Sequence, residues 1–258
     1  MIAPLNQYNI KQFSTAAAIR YNQPIYLDPH NEVSVFAGLE WRQNKSSVRG
    51  IPFSFTPEIQ DATTQYTALS VGQTWINRTP NQVVAISNEL RFGVDLFGAT
   101  VLDTPSGIDG RYFIWRFNSQ YIRSLSPELL FRANFASQLT PDALFFGERL
   151  QIGGIYTVPG FPYNQFSGDN GYYGSVALEY TLMNDKDWGQ LRVIPYFSAG
   201  FVDNNKFVSP VPDTIASVTL GLDYRREPFY LRLDYAQPLT ANVKEQNILL
   251  QFGVNLKF

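Results

Sequence analysis

The chain has 258 residues, no cysteine, one histidine and a formal net charge of −2, with 16% charged and 15% aromatic residues. The lack of cysteine excludes a disulfide framework and thiolate metal sites, and a single histidine excludes the usual zinc sets. The near-neutral charge gives no electrostatic reason to expect nucleic acid as a partner. We therefore expect no metal site and no nucleic-acid partner.

Apolar and polar residues alternate along most of the chain with a period of two, which is typical of strands. The clearest example is the last segment, where positions 248, 250, 252, 254, 256 and 258 are all apolar. Turn-rich stretches such as 77–81, 184–187 and 225–228 separate the alternating segments. We predict about 12 strands, near residues 8–22, 33–43, 64–76, 83–96, 111–123, 128–139, 147–158, 172–183, 190–202, 215–225, 229–237 and 247–258.

The polar face of these strands mixes glycine with charges of both signs, whereas the apolar face carries Leu, Val and Phe. This pattern is typical of a barrel with lipid outside and a polar lumen. We predict an all-β, antiparallel transmembrane β-barrel, with a soluble β-sandwich or barrel as the alternative. The charges expected in the lumen are Arg116, Arg132, Arg149, Glu179, Arg192, Asp223, Arg232 and Asp234.

We expect one barrel domain over residues 1–258, because no linker divides the chain. The first residues have neither a basic region nor an apolar region, so they do not read as a signal peptide. The chain ends on an aromatic residue, Phe258, which we interpret as an assembly signal for the outer-membrane barrel-assembly machinery. These features predict contact with outer-membrane lipid and a location in the bacterial outer membrane.

Residues 147–161 read GERLQIGGIYTVPGF, and residues 167–173 read SGDNGYY. This segment resembles the haemolysin-activation, two-partner-secretion transporters, which belong to the barrel-assembly-protein superfamily. The resemblance implies translocation of an unfolded exoprotein of the haemolysin or adhesin class, without a cofactor or an energy source. It implies no enzymatic activity, and His30 lies in a predicted turn with no nucleophile placed beside it.

The resemblance also implies a loop that folds back into the lumen. In that family an Arg of the loop motif pairs with an Asp on the next-but-one strand. Here the loop motif is Val158, Pro159, Gly160 and Phe161, so Pro159 stands at the Arg position. The partner strand carries Ser198 and Gly200, with Ser198 at the Asp position.

Losing one charge alone would leave the other buried and unpaired, so we interpret the double change as a matched replacement. We predict that the loop still enters the lumen, held by Phe161 and backbone contacts, and that Pro159 stiffens its base. The alternative is an ordinary extracellular loop with no gating role.

Family members have 16 strands, preceded by a signal peptide and two POTRA domains. Counting from the C-terminus, five predicted strands follow the motif loop and seven precede it, where eleven are expected. The first four strands and the POTRA domains therefore have no counterpart here. Either the chain is the later part of a longer barrel, or its first strand pairs with its twelfth to close a small one. The alternative function is accordingly a small structural or passive-pore barrel that has lost secretion.

The same count gives an inconsistent pattern of loop lengths. With a periplasmic C-terminus, the long segments 159–171, 203–214 and 238–246 are extracellular, as expected. Further back, however, the long segment 97–110 becomes periplasmic and the short segment 124–127 becomes extracellular. Either the rule of short periplasmic turns is relaxed, or a strand is miscounted near 97–110.

Overall fold

A computed structural model of the protein describes residues 10–54, 59, 62–102, 107–206, 214–241, 243 and 246–254. Phe258, the predicted assembly signal, lies outside these residues.

The fold is all-β, as predicted. Its strands are β1 (Ile10–Leu27), β2 (Asn31–Val48), β3 (Ile51–Pro52), β4 (Thr63–Thr79), β5 (Gln82–Val94), β6 (Phe113–Ser124), β7 (Leu129–Leu139), β8 (Leu150–Ile152), β9 (Phe166–Gly168), β10 (Asn170–Asp185), β11 (Gly189–Asp203), β12 (Thr214–Arg226), β13 (Phe229–Pro238) and β14 (Ile248–Val254). Within the described residues, no helix is long and apolar enough to cross a membrane.

Eleven long strands form one antiparallel meander in the order β1-β2-β4-β5-β6-β7-β10-β11-β12-β13-β14, and the short β3 adds to β2. Strands β8 and β9 form a separate two-stranded sheet. Ladders join each strand of the meander to the next, from β1–β2 through β13–β14. No ladder between β1 and β14 is present among the described residues, so the pairing expected of a closed small barrel is not seen there.

The two faces of the long strands differ as the alternation predicts. In β13, Leu231 and Leu233 are about 40% exposed. Asp234, which has an apolar residue on each side in the sequence, is fully buried. In β12 the burial alternates in the same way from residue 217 to residue 223, where Val218, Leu220 and Leu222 are exposed and Ser217, Thr219 and Asp223 are buried. A surface with its leucines outside and its carboxylates inside is the inverse of a soluble protein, and it is the arrangement of a transmembrane barrel.

The predicted strand over 147–158 is wrong as a membrane-crossing strand. Only Leu150–Ile152 is extended there, as β8, and β7 pairs directly with β10 in the main sheet. The alternation ends at Gly153 and Gly154, whose positive φ values of 105° and 90° take the backbone out of the strand conformation. Six long strands therefore precede the motif loop, where seven were expected.

Removing that strand also resolves the inconsistent loop lengths. The connections 28–30, 80–81, 125–128, 186–188 and 227–228 are short and share one end of the sheet. The connections 49–62, 95–112, 140–169, 204–213 and 239–247 are long and share the other end. Short turns at one end and long loops at the other are the rule for outer-membrane barrels, so the rule is not relaxed here.

Candidate functional site

The longest connection, residues 140–169, folds back along the inner face of the sheet. Its first part packs on the β4 side, where Phe145 stacks on Tyr66 with ring centroids 6.1 Å apart. Its second part packs on the β10–β12 side through Val158 and Phe161. We call residues 140–169 the lumenal connection, because it contacts two opposed parts of the wall from within.

An apolar cluster fixes the loop motif to the inner wall. Val158 and Phe161 are fully buried beside Val202 of β11 and Ile215 of β12. Both wall residues lie on the face opposite the exposed leucines, which is the lumenal face. Full burial of a Phe side chain contributes about 1.5–3 kcal/mol relative to leaving it in water. The motif loop is therefore attached to the wall by apolar packing.

Backbone contacts complete this attachment. Gly160 has a φ of 92°, and its carbonyl accepts a hydrogen bond of 2.8 Å from the amide of Gln246. A Cβ at Gly160 would lie 3.3 Å from the Cβ of Ala236. On the partner strand, a Cβ at Gly200 would lie 3.1 Å from the Cβ of Tyr173 and 3.3 Å from Val158. Glycine at both positions thus permits the close approach of loop and wall.

The two positions at which the family has charges are buried. Pro159 is buried within the loop motif, and Ser198 is 1% exposed on the inner face of β11. Ser198 pairs in register with Ser217, and the hydroxyls of Ser198, Ser217 and Thr219 have no hydrogen-bond partner within the described part of the chain. The inner face of the wall around Ser198 therefore carries neutral polar groups.

An ion-pair network holds the first part of the lumenal connection. Glu148 is 3% exposed and accepts two hydrogen bonds of 2.9 Å from Arg91 of β5. Arg116 of β6 donates a third, at 3.0 Å, and Arg91 also pairs with Glu40 of β2 at 3.0 Å. A bidentate arginine–carboxylate pair combines strength with a fixed geometry. Glu148 therefore ties the connection directly to β5 and β6 and, through Arg91, to Glu40 of β2.

A second carboxylate joins two connections at the long-loop end. Asp169, in the SGD motif, is fully buried and accepts hydrogen bonds of 3.0 Å from the amides of Leu144 and Asn205. It also pairs with Arg149 at 3.2 Å. A buried carboxylate needs such partners. Through them Asp169, at the end of the lumenal connection, is bonded to Leu144 and Arg149 of the same connection and to Asn205 of the β11–β12 loop.

A third group of charges forms a ladder around the inner wall near the short turns. Glu179 pairs with Arg132 at 2.7 Å and with Arg192 at 2.8 Å. Arg192 also pairs with Asp223 at 2.8 Å. The pair Arg232–Asp234, at 2.8 Å, lies on β13. Because consecutive strands contribute to the ladder, its charges are balanced within the wall.

The structure thus places each of the eight predicted lumen charges in an ion pair on the inner side. Seven are on wall strands, whereas Arg149 is on the lumenal connection, because the strand predicted for it is absent. The sequence analysis missed Glu148 and Asp169, the two carboxylates that fix the connection. Their signal was available in part, since both lie within the motif segment 147–173.

Together these features describe a lumen lined with balanced charges and partly filled by a connection held at several points. Within the described ranges, no group of His, Asp and Glu side chains has the arrangement of a metal site.

Comparison with known proteins agrees with this architecture. The family described as haemolysin secretion/activation protein ShlB/FhaC/HecB matches residues 3–224. The outer membrane transporter CdiB of Escherichia coli O6:K15:H31 (strain 536 / UPEC) is 23% identical over 153 residues, which cover 57% of this chain and 26% of the relative.

Three solved structures share the fold. CdiB from Escherichia coli has a TM-score of 0.81 at 17% identity, over 94% of this chain and 45% of its own. CdiB from Acinetobacter baumannii has a TM-score of 0.74 at 21% identity, over 98% and 44%. BamA from Haemophilus ducreyi lacking POTRA domains 1–3 has a TM-score of 0.70 at 15% identity, over 95% and 55%.

The chain spans less than half the length of either CdiB structure. The family match nevertheless covers most of the chain, including the lumenal connection and the strands on which it packs. Exposed leucines outside and paired charges inside agree with an outer-membrane barrel. The chain therefore belongs to the haemolysin secretion/activation protein family of two-partner secretion and forms an antiparallel β-barrel wall in the bacterial outer membrane.

Proposed function

We propose that this chain forms part of the conduit through which an unfolded exoprotein of the haemolysin or adhesin class crosses the outer membrane. The partners are then the secreted exoprotein, the surrounding lipid and, during biogenesis, the barrel-assembly machinery, to which Phe258 at the C-terminus would serve as a signal. The observation that carries the proposal is the lumenal connection, which lies inside a charge-balanced lumen of the family's barrel.

The gate in this proposal is the motif loop. Its attachment is apolar, through Phe161 and Val158, and Pro159 and Ser198 take the places of a buried ion pair. An apolar contact is non-directional, and breaking it leaves no buried charge without a partner. The loop can therefore leave and return to the wall while a polypeptide passes.

The test is Phe161→Ala in the full-length protein, compared with Phe146→Ala. Both changes remove a phenyl ring from the same connection, but Phe161 is fully buried and Phe146 is 54% exposed. Truncating a buried Phe costs about 3–5 kcal/mol. We expect Phe161→Ala to raise the pore conductance in planar bilayers and to lower exoprotein secretion by cells, and Phe146→Ala to change neither.

Heat-modifiable gel mobility shows whether each variant is folded. Unchanged conductance in folded Phe161→Ala would remove the gating role of the loop. A native protein that conducts ions, but secretes no exoprotein when it is expressed beside its candidate substrates, would favour the passive-pore alternative.

A further inference from the structure

A cavity of about 660 Å³ lies between the lumenal connection and the inner faces of β1, β2, β6 and β7. Its polar lining consists mainly of guanidinium and amide groups, from Arg42, Arg116, Arg149, Asn44, Gln138 and Gln151. No acidic residue is among the described residues that line it. The cavity wall therefore offers hydrogen-bond donors and cations without a carboxylate.

Each of the three arginines has a carboxylate partner that does not line the cavity. Arg42 pairs with Glu40 at 2.6 Å, whereas Arg116 and Arg149 pair with Glu148 and Asp169. The partner carboxylates are 20%, 3% and 0% exposed, whereas the three arginine side chains keep 35%, 29% and 17%. The carboxylates thus position the guanidinium groups, and the accessible part of each arginine faces open space.

These pairs leave donors unused. A guanidinium group has five N–H donors. The Nε atom of Arg42 is buried, and it has no hydrogen-bond partner among the residues that the structure describes. Buried donors in native proteins are almost always paired with protein, water or a bound ligand. An unpaired arginine donor in the wall of a cavity lined by two further arginines indicates that an acceptor belongs there.

We propose that this cavity is an anion site that binds carboxylate groups of the passing exoprotein, from its Asp and Glu side chains. The inference rests on the proposed function, since it requires a polypeptide in the lumen. A carboxylate matches the planar fork of a guanidinium group, with two parallel N–H···O bonds. Because the three arginines are already neutralised by their partners, binding is directional and weak, as is needed for a ligand that must also leave.

The experiment is single-channel recording of the full-length protein in planar bilayers, with peptides added on the periplasmic side. The probes are hexaglutamate, hexaglutamine and hexalysine, and the variants are Arg42→Gln, Arg42→Lys and, as a control, Arg225→Gln. Arg225 pairs with Asp223 on the ladder near the short turns and does not line the cavity.

We expect hexaglutamate to block the wild-type pore at a lower concentration than the other two peptides. Loss of one charge-assisted hydrogen bond should raise its half-blocking concentration about tenfold in Arg42→Gln. The half-blocking concentration for Arg42→Lys should lie between those of wild type and Arg42→Gln, because the charge remains but the planar fork of the guanidinium group is lost. Arg225→Gln should behave as wild type.

Equal block by hexaglutamate in wild type and Arg42→Gln would overturn the anion site and leave the proposed function intact. A pore that admits none of the three peptides would contradict the proposed function and this inference together. Relief of the hexaglutamate block by free succinate at the same carboxylate concentration would assign the site to free anions and overturn its role toward the exoprotein.

Discussion

Strands β12 and β1 belong to the same sheet and have the same ladder geometry, but their inner faces differ. In β12, Ile215 and Ser217 are fully buried, while the outward Val218 and Leu220 are about half exposed. In β1 both faces are exposed, including Arg20 on the inner side and Ile19, at 71%, on the outer side. The difference lies in what covers each strand, because the apolar cluster of the lumenal connection includes Ile215 of β12 and no described residue of β1.

Backbone hydrogen bonds therefore build the wall, and the lumenal connection buries part of it. Strand β1 pairs with β2 along nearly its whole length, although none of its described side chains is buried. In lipid, satisfying the backbone is the first requirement of any spanning segment. We call the inner surface that contacts the lumenal connection the covered part of the wall, and the remainder, which includes β1 and the short turns, the open part. The proposed function depends on the covered part, where side-chain contacts hold the connection in place.

The largest effect that follows is on the charge network of the covered part. Glu148→Gln should destabilise the protein by about 3–5 kcal/mol, because it leaves the buried Arg91 with Glu40 as its remaining carboxylate partner. Glu32→Gln, on the open part, removes a partly exposed partner of Arg78 and should cost no more than about 1 kcal/mol. Urea unfolding in lipid vesicles, followed by heat-modifiable mobility, measures both.

An equal decrease of the unfolding midpoint in Glu148→Gln and Glu32→Gln would contradict this difference between the covered and the open part. That result would mean that buried Glu148, with two arginine partners, contributes no more to the stability of the folded protein than partly exposed Glu32 does with its single arginine partner.

A smaller effect is expected for glycines on the inner faces of the two parts. Gly200→Val, on the covered β11, brings new atoms against Tyr173, Ile152 and Val158 and should cost about 1–3 kcal/mol. Gly38→Val, on β2, meets first the side-chain oxygen of Ser70, which can rotate away. We expect the first change to displace the motif loop and raise pore conductance, and the second to leave conductance unchanged.

Retention of wild-type conductance by folded Gly200→Val would show that the loop tolerates a displaced wall, and would weaken the link between packing and gating. A matched rise in conductance for Gly38→Val would show that the effect is not specific to the covered part.

The alternation of residues was sufficient to predict the two faces of the sheet, since every residue of a strand must point one way or the other. It failed at 147–158, where Leu150 and Ile152 alternate correctly but two consecutive glycines with positive φ end the strand. The inconsistent loop lengths were the available sign of that error.

The role of Glu148 could not be predicted from sequence, because Arg91 is 57 residues away and only the folded connection brings the two together. Placement of such pairs depends on the path of a long connection, which period-two patterning does not encode. Local patterns thus predicted the wall, whereas the site required the tertiary structure.

The smallest effect belongs to the open part, in the exposed turn between β1 and β2. The hydroxyl of Tyr26, at 2.7 Å, and the backbone amides of His30 and Asn31 lower the pKa of Asp28 below its usual value. A carboxylate whose pKa is lowered by folding stabilises the folded state above its unfolded pKa of about 4, and loses that contribution as the pH falls through the folded value. Asp28→Asn should therefore be slightly less stable than wild type at pH 7, with the gap closing below about pH 4. Thermal unfolding midpoints of the two proteins across that range test this, and a gap independent of pH would mean that the turn is held by geometry that does not depend on the charge of Asp28.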